Sequence, residues 1–106
     1  MNNDTTYNGW KNYETWNVAL HINNDRGDYD FWRENTQHCL DVSKSEYDWQ
    51  TDRDAAIYNL SVMLQDTFEN DAPDLVGTYA DLLGSALSNV CWYEIAENLI
   101  EAIEND

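Results

Sequence analysis

Apolar residues recur along this chain at helical rather than strand spacing, in blocks separated by polar punctuation. Tyr13, Trp16 and Leu20 share one side of a helix running from about Tyr13 to Asn23. Asn12 stands just before it and suits an N-cap, because its side-chain oxygen can accept from an unpaired N–H of the first turn. Asn23-Asn24-Asp25-Arg26-Gly27 then reads as a turn, rich in residues that tolerate left-handed backbone. Asp28 caps a second helix, in which Tyr29, Trp32, Cys39 and Leu40 fall together. Around Ser43 to Gln50 the periodicity lapses, and the segment is a polar loop.

The third and longest helix extends from about Asp52 to Asn70, with Ala56, Leu60, Met63, Leu64 and Phe68 as its stripe. Asp52 and Asp54 in its first turn suit the positive end of the helix dipole. Pro73 marks where this helix stops and the next begins. The fourth helix carries Leu75, Val76, Tyr79, Leu82, Leu83, Ala86 and Leu87. Gly77 and Gly84, seven apart on one face, would permit close contact with a neighbour. In the last helix Cys91 is the N-cap, Glu94 takes the N3 place of a capping box, and Val90 staples onto Ile95. Beyond the cap, Trp92, Ile95, Ala96, Leu99 and Ile103 face one way, while Glu94, Glu97, Glu101 and Glu104 face the other. The pattern predicts an all-α chain, one compact domain of about five short helices, with residues 1–11 irregular or flexible.

Length and composition agree with that outline. At 106 residues, 42% of them hydrophobic and with five Trp and seven Tyr, the chain can form one core. No apolar run reaches the ~18 residues of a membrane span. Met1-Asn2-Asn3-Asp4-Thr5-Thr6 lacks the basic and apolar regions of a secretory signal, so a cytoplasmic location is expected. Cys39 and Cys91, on or beside apolar helix faces, read as free thiols of a reducing compartment.

Charge changes the picture most. There are 21 acidic residues against 5 basic, for a net charge of −16. All five cations (Lys11, Arg26, Arg33, Lys44 and Arg53) lie in the first half, and none follows Arg53. Such a chain repels nucleic acid and anionic membranes and is steered toward basic surfaces. Acidity can also serve solubility alone.

The row Glu94, Glu97, Glu101 and Glu104 is the leading candidate site. Its spacing places four carboxylates within a sector of ~80°, over ~15 Å, with no cation on the helix to neutralise them. Phosphates along one DNA strand advance by ~3.4 Å, so the row resembles a phosphate track in scale. An ordinary solvated helix face has the same appearance. Asp66, Glu69, Asp74 and Asp81 could extend the acidic surface. Tyr7, Trp10 and Trp49, in non-helical stretches, are the alternative anchors for a partner.

Other chemistry finds little support. His38 and Cys39 are adjacent and point to different sides of a helix, and neither His21 nor Cys91 has ligand spacing, so no metal or other cofactor is expected. The acidic stretch Asn23 to Asp30 does not match a calcium loop, because placing Gly27 at position six puts Arg26 at a ligand position. No nucleophile elbow or glycine-rich phosphate loop is present, and no enzyme is expected.

The string Lys11-Asn12-Tyr13-Glu14-Thr15-Trp16-Asn17-Val18-Ala19-Leu20, with Ile22, Asn24 and Asp25, resembles the opening signature of a small uncharacterised family found in phages, cyanobacteria and archaea. The end is similar too, through Asp81-Leu82-Leu83, Ala86-Leu87-Ser88, Trp92, Glu94-Ile95-Ala96-Glu97 and Leu99-Ile100. The chain departs at His21, where an aromatic is expected, and at Cys91, where Asp or Asn would cap better. The resemblance implies a phage or mobile-element context and no activity.

Two functions are expected. By property rather than sequence, the chain is similar to DNA-mimic antirestriction proteins. Its acidic face would occupy the basic cleft of a restriction enzyme, CRISPR effector, polymerase or nucleoid protein. Alternatively it is a structural or adaptor protein that docks through an aromatic patch around Tyr7, Trp10 and Trp49, and in either role the chain can act alone or as a homodimer.

Overall fold

The computed structural model describes residues 6–106, and over them the chain is all-α: α1 (Tyr13–Asn24), α2 (Arg26–Val42), α3 (Asp52–Asp71), α4 (Gly77–Asn89) and α5 (Trp92–Glu104). Residues 1–5, part of the stretch expected to be irregular, lie outside the described residues. None of the five helices is long and apolar enough to cross a membrane.

Local chemistry explains where the helices begin. Asn12 caps α1 as expected, its side-chain oxygen accepting from the Thr15 N–H at 2.9 Å. Thr51 opens α3 with a full capping box, in which the Thr51 hydroxyl accepts from the Asp54 N–H and the Asp54 carboxylate accepts from the Thr51 N–H. The expected start of α2 needs correction. Asp25, not Asp28, is the cap, and Asp28 supplies the N–H it accepts, at 2.9 Å. The break between α1 and α2 is therefore Asp25 alone, and Arg26 and Gly27 already belong to the helix. α4 also starts late. Ala72 to Val76 is non-helical, so Leu75 and Val76 precede the helix rather than line it.

The core forms where α2, α3 and α5 meet, with α1 against α2 and α5. α3 and α5 run antiparallel: Arg53 at the start of one meets Glu104 at the end of the other, and Phe68 lies 5.5 Å from Trp92. Ile57, Leu60 and Leu64 interlock with Ile95, Ala96 and Ile100, all at 1% exposure or less. Burying each large aliphatic side chain contributes roughly 1.5–3 kcal/mol. An aromatic seam crosses the core, with Trp32 stacked 6.3 Å from Phe68, which in turn packs on Trp92.

α4 stands apart from this arrangement. It has no buried residue and rests on α1, with Leu87 reaching the core. Val76, Tyr79 and Leu82 are 83%, 71% and 62% exposed. The close packing expected at Gly77 and Gly84 is absent. A methyl group at either would meet nothing within 4 Å, and Gly77 instead serves the backbone, with φ at +61°.

Before α1, Tyr7 and Trp10 exchange backbone hydrogen bonds of 2.7 and 2.8 Å across Asn8-Gly9. Both turn residues have positive φ, 49° and 88°, as a type I′ turn requires.

Candidate functional site

The capping box anticipated at α5 does not form, and its parts are used elsewhere. Cys91 is the N-cap residue but makes no side-chain cap. Its N–H donates to the Thr15 hydroxyl at 2.9 Å, while Glu94 accepts from the Lys11 N–H at 2.8 Å. Asn12 completes the junction: its amide donates to the Asn89 carbonyl at 2.6 Å, and its oxygen also accepts from the Thr15 hydroxyl. Thr15 is wholly buried. Asn12 and Thr15, within the string that suggested a family, thus tie the start of α1 to the α4–α5 corner.

This junction and one ion pair reduce the glutamate row. Glu94 is engaged by Lys11. No cation on α5 answers the row, but Glu104 receives three hydrogen bonds of 2.9 to 3.1 Å from the Arg53 guanidinium of another helix. Arg53 comes from α3, fifty-one positions away, which spacing within α5 could not reveal. These bonds, and then the opposite charge, hold the Glu104 carboxyl below its ordinary range. They also raise Arg53, with smaller contributions from the charges of Glu101 and Glu97. Among the described residues, Glu97 and Glu101 form no hydrogen bond or ion pair.

Glu97 and Glu101 acquire an aromatic neighbour instead. Together with Glu94, Asn98, Gly9 and Trp10 they line a hollow of about 160 Å³. The Asn8-Gly9 turn carries Trp10 to the acidic face of α5, so residues assigned from sequence to two rival sites share one surface. Asp66 and Glu69 are exposed on α3, where Glu69 accepts from Gln65 at 3.1 Å. Asp74 is exposed in the 72–76 connection and Asp81 on α4. The eight carboxylates are thus spread over three helices and a connection.

The aromatic patch expected around Tyr7, Trp10 and Trp49 divides. Tyr7 packs at 4.9 Å from Trp16 and 5.2 Å from Tyr13. Trp49 lies in the α2–α3 connection, 77% exposed, and stacks on Tyr47. The two groups share no ring contact.

Both thiols are free. Burial raises the Cys39 thiol above its ordinary value, and Cys91 is half-buried. Among the described residues, no three His, Cys, Asp or Glu side chains converge as a metal site.

Neither the curated proteins nor the solved structures give a match to this chain. A family model, described as a family of unknown function (DUF7249), matches residues 3–105. With nearly the whole chain covered, the protein belongs to that family.

Proposed function

We propose that this protein is an acidic binding module that takes the place of nucleic acid in the basic cleft of a restriction enzyme, CRISPR effector, polymerase or nucleoid protein. The disposition of its carboxylates carries this reading. None of those described is buried, and all but Glu14, Asp54, Glu94 and Glu97 are exposed. Arg26, Arg33, Lys44 and Arg53 each pair with an acid of the same molecule, Asp30, Asp106, Asp52 and Glu104. Most of the described acidic groups therefore face solvent without a cation, and a basic cleft would neutralise them.

The hollow formed by Glu97, Glu101 and Trp10 is the centre of the contact. Its carboxylates attract a basic side chain, and the indole offers an apolar and cation-binding face beside them. Such a role is one of binding, not catalysis, and suits a phage-encoded inhibitor acting in the host cytoplasm.

The test is capture from a cell lysate by the tagged protein, followed by competition with duplex DNA. A captured nucleic-acid-binding protein that exchanges this chain for DNA supports the reading. A partner that binds this chain and DNA together overturns it. Glu97→Lys with Glu101→Lys should abolish capture without unfolding the chain, since neither side chain is buried or bonded.

The exposed apolar face of α4 favours a second reading, an adaptor. Tyr79 and Leu82 on the helix, and Val76 just before it, are uncovered, with Asp74 and Asp81 nearby in sequence. The fitting occupant is a partner helix with an apolar stripe flanked by Lys or Arg. Its binding would survive about 0.5 M salt and be lost with Tyr79→Ser and Leu82→Ser.

A further inference from the structure

The 43–51 connection, polar by sequence, is a braced platform. Ser43 is buried, and its hydroxyl accepts from the Asn59 amide at 3.0 Å. The Ser45 N–H donates to Asp52 at 2.8 Å, and the Ser45 hydroxyl lies against the carbonyls of Tyr47 and Gln50. A Gln50 N–H bond to the Tyr47 carbonyl, 3.2 Å, closes a turn with Asp48 and Trp49 at its tip. Tyr47 stacks on Trp49 with centroids 5.1 Å apart and planes within 11°. One face of the indole is thereby supported while the side chain stays 77% exposed.

Between this turn and the start of α3 lies a cavity of about 390 Å³. Tyr47, Trp49 and Tyr58 supply its aromatic walls, and Glu46, Gln50 and Asn59 its polar ones. Tyr58, on α3, is 58% exposed. Lys44 also lines the cavity, but its ammonium lies 3.7 Å from Asp52 and its charge is answered there.

We infer that this cavity receives an arginine side chain from an extended basic segment of the partner, an inference that rests on the reading that the partner is basic. An aromatic face attracts a cation, and most strongly when the ring is Trp. A guanidinium is flat and more weakly hydrated than an ammonium, so it can stack on the open face of Trp49 at smaller desolvation cost. Its N–H groups find acceptors in the Glu46 carboxylate and the side-chain carbonyls of Gln50 and Asn59. Bases of single-stranded nucleic acid could also stack here, but no basic groove lies beside the rings and the net charge of −16 repels the phosphates. A braced, exposed Trp also has the character of an interface anchor, since little side-chain freedom remains to be lost on binding.

The experiment is an NMR titration of the full chain with the peptide acetyl-Gly-Arg-Gly-amide. It is repeated with citrulline in place of arginine, which keeps the shape and removes the charge. The Trp49 indole N–H, identified by its loss in Trp49→Phe, should move most among the indoles. The citrulline peptide should bind about tenfold more weakly. Trp49→Ala and Glu46→Gln should each weaken the arginine peptide about fivefold, while Glu97→Gln with Glu101→Gln should not alter the Trp49 shift. An unmoved Trp49 resonance, equal response to both peptides, or unaltered binding by Trp49→Ala overturns the inference. Those outcomes leave the acidic-mimic reading standing if charge reversal at Glu97 and Glu101 still abolishes capture. Conversely, a Trp49-specific arginine site beside a partner that binds this chain and DNA together keeps the cavity and removes the mimic.

Discussion

At the scale of single residues, the most consequential is Thr15. Its hydroxyl donates to Asn12, accepts from the Cys91 N–H, and is sealed from water. Thr15→Val keeps the shape but leaves the Cys91 N–H unpaired, which should cost about 1–3 kcal/mol. Thr15→Ser should cost less. Urea unfolding of the three proteins measures this, and equal midpoints for parent and Val variant would refute it. Glu104 gives a pH-dependent counterpart. Its carboxyl is lowered by hydrogen bonds from Arg53, so the stability it contributes is full above the ordinary glutamate range and is lost as pH falls through the lowered value. Glu104→Gln should therefore be less stable than the parent near pH 7, and the gap should narrow as the pH falls below the ordinary glutamate range. An unchanging gap in thermal melts across that range would contradict the pairing. The pair is exposed, so the gap should be small.

At the scale of elements, α3 and α5 are legible because one face of each is buried and the periodicity of Leu60, Leu64, Ile95 and Leu99 records it. α1 buries Thr15, Ala19 and Ile22 rather than the stripe of Tyr13, Trp16 and Leu20, because a polar Thr and a small Ala hold the places that face the core. The cap of α2 is ambiguous in sequence because Asp25 and Asp28 are both cap-forming residues at the edge of a turn-rich stretch, and only the structure shows that the helix already begins at Arg26. The Glu94 and Glu104 partners were illegible, since Lys11 and Arg53 reach them only through tertiary packing. α4 was misread for a different reason. Its composition is that of a packed helix, but its outer face is uncovered. Gly84→Ala should stabilise the chain by about 0.5–1 kcal/mol, because the position is helical and open. Gly77→Ala should destabilise by about 1–2 kcal/mol, because φ is positive there. Denaturant titration separates the two, and equal effects would show that α4 starts differently.

At the scale of the whole molecule, the fold and the charge pull against each other. Three helices crossing an aliphatic and aromatic seam make a core strong enough to hold a surface on which like charges repel. Among the described residues the ion pairs answer four carboxylates and leave most of the others exposed. Solubility alone would be served by any acidic surface. The case for recognition lies in the arrangement: Glu97 and Glu101 unbonded beside Trp10, and a braced Trp49 on the α2–α3 platform. Both aromatics lie outside the helices, where sequence periodicity says nothing of their surroundings.

The most direct measurement is the affinity of the captured partner as a function of salt, from about 0.05 to 0.5 M. If carboxylates facing a basic cleft drive binding, the affinity should fall steeply and linearly on logarithmic axes, and the slope should flatten for Glu97→Gln with Glu101→Gln. An affinity that holds across that range, unchanged by the double variant, would contradict the account and leave the net charge of −16 as a means of staying in solution.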